Sequence, residues 1–148
     1  MIAGSILLGY CTPPANKEVE KNASPLIGTW KLKAATLVEK GDTTVTDFTR
    51  DISFIKIINE THFAFLQHDL KKGKDSAAVF VAGGGTYSLK GDRYTENLEY
   101  CSARDWEGNR FDFKVSIKGD TLVQEGVEKV ESAGVNRINI ERYVRVKN

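Results

Sequence analysis

The sequence predicts an all-β fold, an eight-stranded antiparallel up-and-down barrel, and three observations carry that prediction. From Gly28 onward apolar and polar residues alternate with a period of two rather than 3.6. The alternating stretches recur at fairly regular spacing, separated by Lys-Gly, Gly-Asp and Asn-containing turns. No stretch carries a helical stripe, since Gly126 and Val127 interrupt the one segment, "VQEGVEKVESAG", that could be drawn as a helix. Antiparallel strands of this number allow a sandwich or a closed barrel. Consecutive hairpins favour the barrel, because closure removes both sheet edges.

Taken in order, residues 1–23 stand apart from the rest. Ile2 to Leu8 is a short apolar run, well below the roughly 20 residues a spanning helix requires. It leads into Leu8-Gly9-Tyr10-Cys11 and then a linker with Pro13, Pro14 and mixed charges but no periodicity. Residues 24–148 form the expected domain. Its first strand runs from Gly28 to Val38, with Trp30, Leu32 and Ala34 on one face, and "EKGD" turns it. After a poorly patterned stretch, Thr43 to Arg50, come "ISFIKII" and "HFAFLQH", which places Phe63, Phe65 and Gln67 together. "AAVFVAGGGTYSL" follows; its glycines mark either a sharp bend in one barrel strand or a loop between two shorter ones. "YTENLEY" aligns Tyr94, Glu96, Leu98 and Tyr100, and "RFDFKVSIK" aligns Phe111, Phe113, Val115 and Ile117. "TLVQEGVEKV" puts Gln124 on the face of Leu122, and the last strand, "RINIERYVRV", is assigned Tyr143 and Arg145 inward.

Composition bounds the function. The chain has 148 residues, 41% hydrophobic and 28% charged, enough to bury a core without disulfides or metal. Its 21 basic and 20 acidic side chains are interspersed and form no basic stripe, which argues against a nucleic-acid partner. Two cysteines, Cys11 and Cys101, supply no disulfide framework, and Cys101 is expected to be an inert, half-buried thiol. His62 and His68 lie six residues apart, roughly 20 Å along a strand, so they cannot share one metal. They also fall opposite Phe63 and Phe65, which weighs against a haem-binding variant, and no cofactor or metal is expected. No phosphate-binding loop or nucleophile elbow occurs.

Gly28-Thr29-Trp30 opening the first strand, with Arg145 near the end of the last, resembles the lipocalin (calycin) superfamily. The resemblance implies that Gly28 and Trp30 close one end of the barrel and that a basic residue, Arg145 or else Arg142, packs across the indole. "LIGTWKL", "GTYSLKGDRYTENLEY" and "ERYVRVK" further resemble the lipocalin-like domains of uncharacterised exported Bacteroidetes proteins. The segment ending at Cys11 resembles a bacterial lipoprotein signal, which implies lipidation at Cys11 and a membrane tether in the cell envelope. What the superfamily implies is binding of a small hydrophobic or amphipathic molecule, and the chain is expected to be a monomer.

The residues expected to line such a site are Phe65, Gln67, Tyr87, Tyr94, Glu96, Tyr100, Phe113, Gln124 and Tyr143. A carboxylate among them requires a partner. Glu96 is therefore either neutralised by Arg142 or Arg145, exposed near the mouth, or a polar contact for a ligand. An isomerase or cyclase using Glu96 with Tyr94 or Tyr100 is an alternative reading. A solid barrel presenting loops to another envelope protein is another. In that reading Trp106 is a contact anchor; otherwise it caps the barrel end.

Overall fold

The computed structural model describes residues 24–76 and 78–147. The expected tether and Cys11 lie outside them. Among the described residues, nine antiparallel strands form one sheet: β1 (Gly28–Glu39), β2 (Asp42–Asp47), β3 (Ile52–Ile58), β4 (His62–Asp69), β5 (Phe80–Lys90), β6 (Arg93–Cys101), β7 (Arg110–Lys118), β8 (Thr121–Val130) and β9 (Val135–Arg145). Pairing of β1 with β9 closes eight of them, β1 and β3–β9, into a barrel. The ninth, β2, is the stretch that showed no usable pattern.

The extra strand has a simple origin. Lys40 and Gly41, both at positive φ (52° and 90°), make a two-residue turn that folds β2 back on the second half of β1, from Ala34↔Asp47 to Glu39↔Asp42. Only the first four residues of β1, Gly28 to Lys31, pair with β3. Because β2 is exposed along nearly its whole length, it buries no alternate face and shows no period-two signal. Its Thr43, Thr44, Val45, Thr46 run is the β-branched cue that does mark it.

Two irregularities redirect side chains. Between Leu32 and Ala34 the β1–β9 register slips by one residue, so the inward face continues through Ala35 and Leu37, not Ala34 as expected. Between Leu98 and Tyr100 the β5–β6 register slips again, at Gly84/Gly85. This second bulge turns Tyr100 outward, 68% exposed, and turns Cys101 inward. The glycine triplet is therefore a bend within one continuous strand. A Cβ on Gly83 would lie 2.5 Å from the Phe65 ring, one on Gly84 2.5 Å from the Phe63 carbonyl oxygen, and one on Gly85 would run into the Asn97 carbonyl oxygen. Close approach of neighbouring backbone, rather than turn geometry, demands glycine here.

One end of the barrel is filled. Trp30, Ile58, Phe63, Tyr94, Leu122 and Tyr143 are almost wholly buried there. The Trp30 indole N–H donates to the Leu26 carbonyl at 2.8 Å, and the Arg145 guanidinium lies 4.0 Å from the indole centroid. Arg145 also donates to the carbonyls of Ile27 and Pro25, so it ties the chain before β1 to the barrel floor. The arginine thus combines a cation–π contact with two backbone bonds.

Replacing Gly85 by Ala is expected to destabilise the fold by about 2 kcal/mol or more, because backbone on both sides must shift. Gly108→Ala, whose Cβ would meet no atom within 4 Å, serves as the control for left-handed strain alone. Urea unfolding monitored by Trp fluorescence measures both; equal losses would refute the close-approach account.

Candidate functional site

Above the filled end the barrel is hollow. A cavity of about 390 Å³ extends from the middle of the barrel to its other end, within the range of small-molecule pockets. Its apolar walls come from Leu32, Phe48, Phe54, Phe65, Leu98 and Phe113. Phe54 and Phe65 stack with centroids 5.8 Å apart, and Phe48 meets Phe54 edge-on at 6.0 Å. Phe48 reaches the wall because the β1–β2 hairpin continues it beyond the point where β1 leaves β3.

A layer of polar side chains separates the cavity from the filled end. Lys56, in phase with Phe54 and Ile58 on β3, projects inward and is only 3% exposed. Its ammonium donates to Glu96 Oε1 at 2.7 Å and to Gln124 Oε1 at 2.9 Å. It also sits 5.5–5.7 Å from the ring centroids of Phe63, Tyr94 and Tyr143. Two acceptors and three ring contacts therefore occupy this cation. Glu96 is neutralised, but by Lys56 rather than by Arg142, which is exposed, or Arg145, which is held at the floor.

A second polar group climbs the β8–β9 wall. Glu128 accepts from Arg137 Nε at 2.7 Å and from Asn139 Nδ2 at 2.7 Å. The Arg137 guanidinium lies 5.3 Å from the Trp106 ring centroid. Trp106 belongs to the short 3₁₀ turn Arg104–Trp106 between β6 and β7 and packs on Phe111 at 5.9 Å. It is half-buried and lines the cavity rim, so it caps this end of the barrel and is not a free surface anchor. Lower on the same wall, Glu141 accepts from the Tyr143 hydroxyl at 2.8 Å. Burial pushes the Glu141 pKa up, and the carboxylates of Glu128 and Glu96 add to this against the opposing pull of Lys56. Burial and the nearby carboxylates likewise hold Tyr94 and Tyr143 well above the ordinary phenol range.

Of the nine expected lining residues, Phe65, Gln67, Glu96, Phe113 and Gln124 do line the cavity. Tyr94 and Tyr143 point inward but are packed beneath it, in the filled end. Tyr87 packs against Tyr94 with the rings tilted and 5.2 Å apart, donates its hydroxyl to the Asn59 carbonyl at 2.7 Å, and does not line the cavity. Tyr100 is outside the barrel altogether, displaced by the bulge, and Cys101 takes the inward place as a buried thiol on the cavity wall. His62 and His68 are exposed and alternate with the inward Phe63, Phe65 and Gln67, so neither reaches the cavity. Among the described residues no cluster of three His, Cys, Asp or Glu side chains is placed to hold a metal.

Sequence reasoning missed Lys56, Glu128, Arg137, Asn139 and Glu141. Lys56 carried a signal, since it alternates in phase with Ile52, Phe54 and Ile58 on an otherwise apolar strand. The β9 residues were legible only through the parity chosen for Tyr143.

No known family matches the chain by sequence, and neither does any curated protein. Among solved structures, an uncharacterized protein from Bacteroides eggerthii DSM 20697 is similar at 13% identity and a TM-score of 0.46. The alignment covers 81% of this chain and 98% of that one.

Lys56→Met should destabilise the protein by about 3–5 kcal/mol, because it strands Glu96 in the interior; Lys56→Met with Glu96→Gln should recover much of the loss. Chemical denaturation of the single and double variants checks this, and additive losses would contradict it. For Glu141, the folded-state pKa is raised. Below the unfolded-state pKa the group is protonated in both states. As pH climbs past it, the unfolded chain ionises first and stability falls. Glu141→Gln should therefore raise the urea midpoint at about pH 8 and leave it nearly unchanged at about pH 3.5. A pH-independent difference would refute the assignment.

Proposed function

We propose that this protein is a lipocalin-like binding module that holds a small amphipathic molecule in the open half of its barrel. One observation carries the reading: a cavity of about 390 Å³ with aromatic side chains from β3, β4 and β7 on its walls and hydrogen-bonding side chains on its floor and along β8 and β9. An apolar body fits between Phe54 and Phe65 on one wall and Phe113 on another, and a polar head fits the layer that Lys56, Gln124 and Glu141 create. The placing of Gly28, Trp30 and Arg145 supports the lipocalin-like character, since the indole plugs the end opposite the cavity and the guanidinium covers it. A proton-transfer role for Glu96 is less well supported, because its carboxylate is already bound by an ammonium at 2.7 Å. Attachment to the cell envelope through Cys11 belongs to the same proposal and rests on the apolar run that precedes that cysteine.

Native mass spectrometry of the protein purified from an envelope fraction, against the same sample denatured, tests this directly. The expected result is a small-molecule adduct that leaves on denaturation and is absent in Ala35→Phe, whose ring projects into the cavity. A clean apo mass, with no thermal shift across a panel of lipids and aromatic compounds, would overturn the reading.

A further inference from the structure

Resting on that reading of the cavity as a binding site, the chemistry of its walls defines the class of ligand. Among the described residues, both cations that line the cavity are already paired with a carboxylate. Lys56 is taken by Glu96 and Gln124, and Arg137 by Glu128 and the face of Trp106. Among the side chains that line the cavity, the buried atom without a hydrogen-bond partner and the carboxylate without a paired cation are both acceptors. Asn139 is only 6% exposed and lines the cavity, and its Oδ1 is buried without a hydrogen-bond partner. Its orientation is fixed by Glu128: an ionised carboxylate accepts only, so the amide NH₂ must face it and the carbonyl oxygen is left over. Two residues further along the same inward face, roughly 7 Å along the strand, Glu141 lines the cavity with the Tyr143 hydroxyl as its one hydrogen-bond partner and no cation paired to it. Among the described residues, three carboxylates, Glu96, Glu128 and Glu141, thus line the cavity with two cations, Lys56 and Arg137.

We propose that the cavity takes a cationic amphiphile, an amine on an apolar body, whose ammonium donates to Asn139 Oδ1 and Glu141. The ammonium supplies the donors both acceptors lack and balances the third carboxylate. The phenylalanine walls accept the apolar body, and their ring faces tolerate positive charge close by. An anionic head group meets the opposite situation. Among the described residues, each cation of the cavity wall already faces a carboxylate, and an anion would enter beside Glu141 and Glu128.

The test is isothermal titration of the full-length chain with decylamine, decan-1-ol and sodium decanoate, each below its micelle concentration, at neutral pH. The amine is expected to bind at least about tenfold more tightly than the alcohol, and decanoate more weakly than either. Glu141→Gln should abolish the amine's advantage over the alcohol. Alcohol or decanoate binding as tightly as the amine would overturn the cationic assignment and leave the binding-module reading standing. An amine preference that survives Glu141→Gln would overturn the placement of the ammonium. No heat from any of the three, with no thermal shift, would overturn both.

Discussion

Lys56 carries its ammonium into the middle of the barrel, where an unpaired charge would be prohibitive. Most of the interior can be understood as the response to that one placement. Glu96 from β6 and Gln124 from β8 converge on it across the barrel, and the rings of Phe63, Tyr94 and Tyr143 support it from below. A residue on β3 is thereby linked to strands distant in sequence and opposite in space. The polar layer this creates divides the barrel into two halves with different physical character.

Below the layer the interior is solid. Trp30 fills the floor and Arg145 seals it from outside, which lets the two terminal parts of the described chain hold each other. Above the layer the same alternation of side chains leaves a void, lined by phenylalanines of β3, β4 and β7 and by a polar stripe along β8 and β9. The charges of that stripe are arranged as pairs except at Glu141, whose ionisation burial disfavours. The solid half and the hollow, polar-lined half are consequently separated along the barrel axis.

The two bulges show how local backbone irregularity decides composition at the site. At Leu32/Ala34 one extra residue brings Ala35 and Leu37 to the wall and lets β1 leave β3, which opens the edge on which β2 pairs. Opposite Gly84/Gly85 another removes Tyr100 from the interior and substitutes the smaller Cys101. A strict period-two reading carries each strand's parity correctly up to the bulge and inverts it beyond.

By itself the sequence determined the all-β class, the hairpin connectivity, and the inward faces of β4, β7 and the first part of β6. Each of those depends on alternation and turn chemistry within a few neighbouring residues. It also indicated the Trp30–Arg145 closure through a resemblance carried by Gly28-Thr29-Trp30 and the ending of the last strand. Only the tertiary structure decided that Lys56 is the partner of Glu96, that Tyr87 and Tyr94 pack below the cavity, and that Asn139 and Glu141 line it. These facts depend on which residues face one another across a closed barrel. Strand stagger and bulges set that alignment between segments remote in sequence, and no local pattern encodes it.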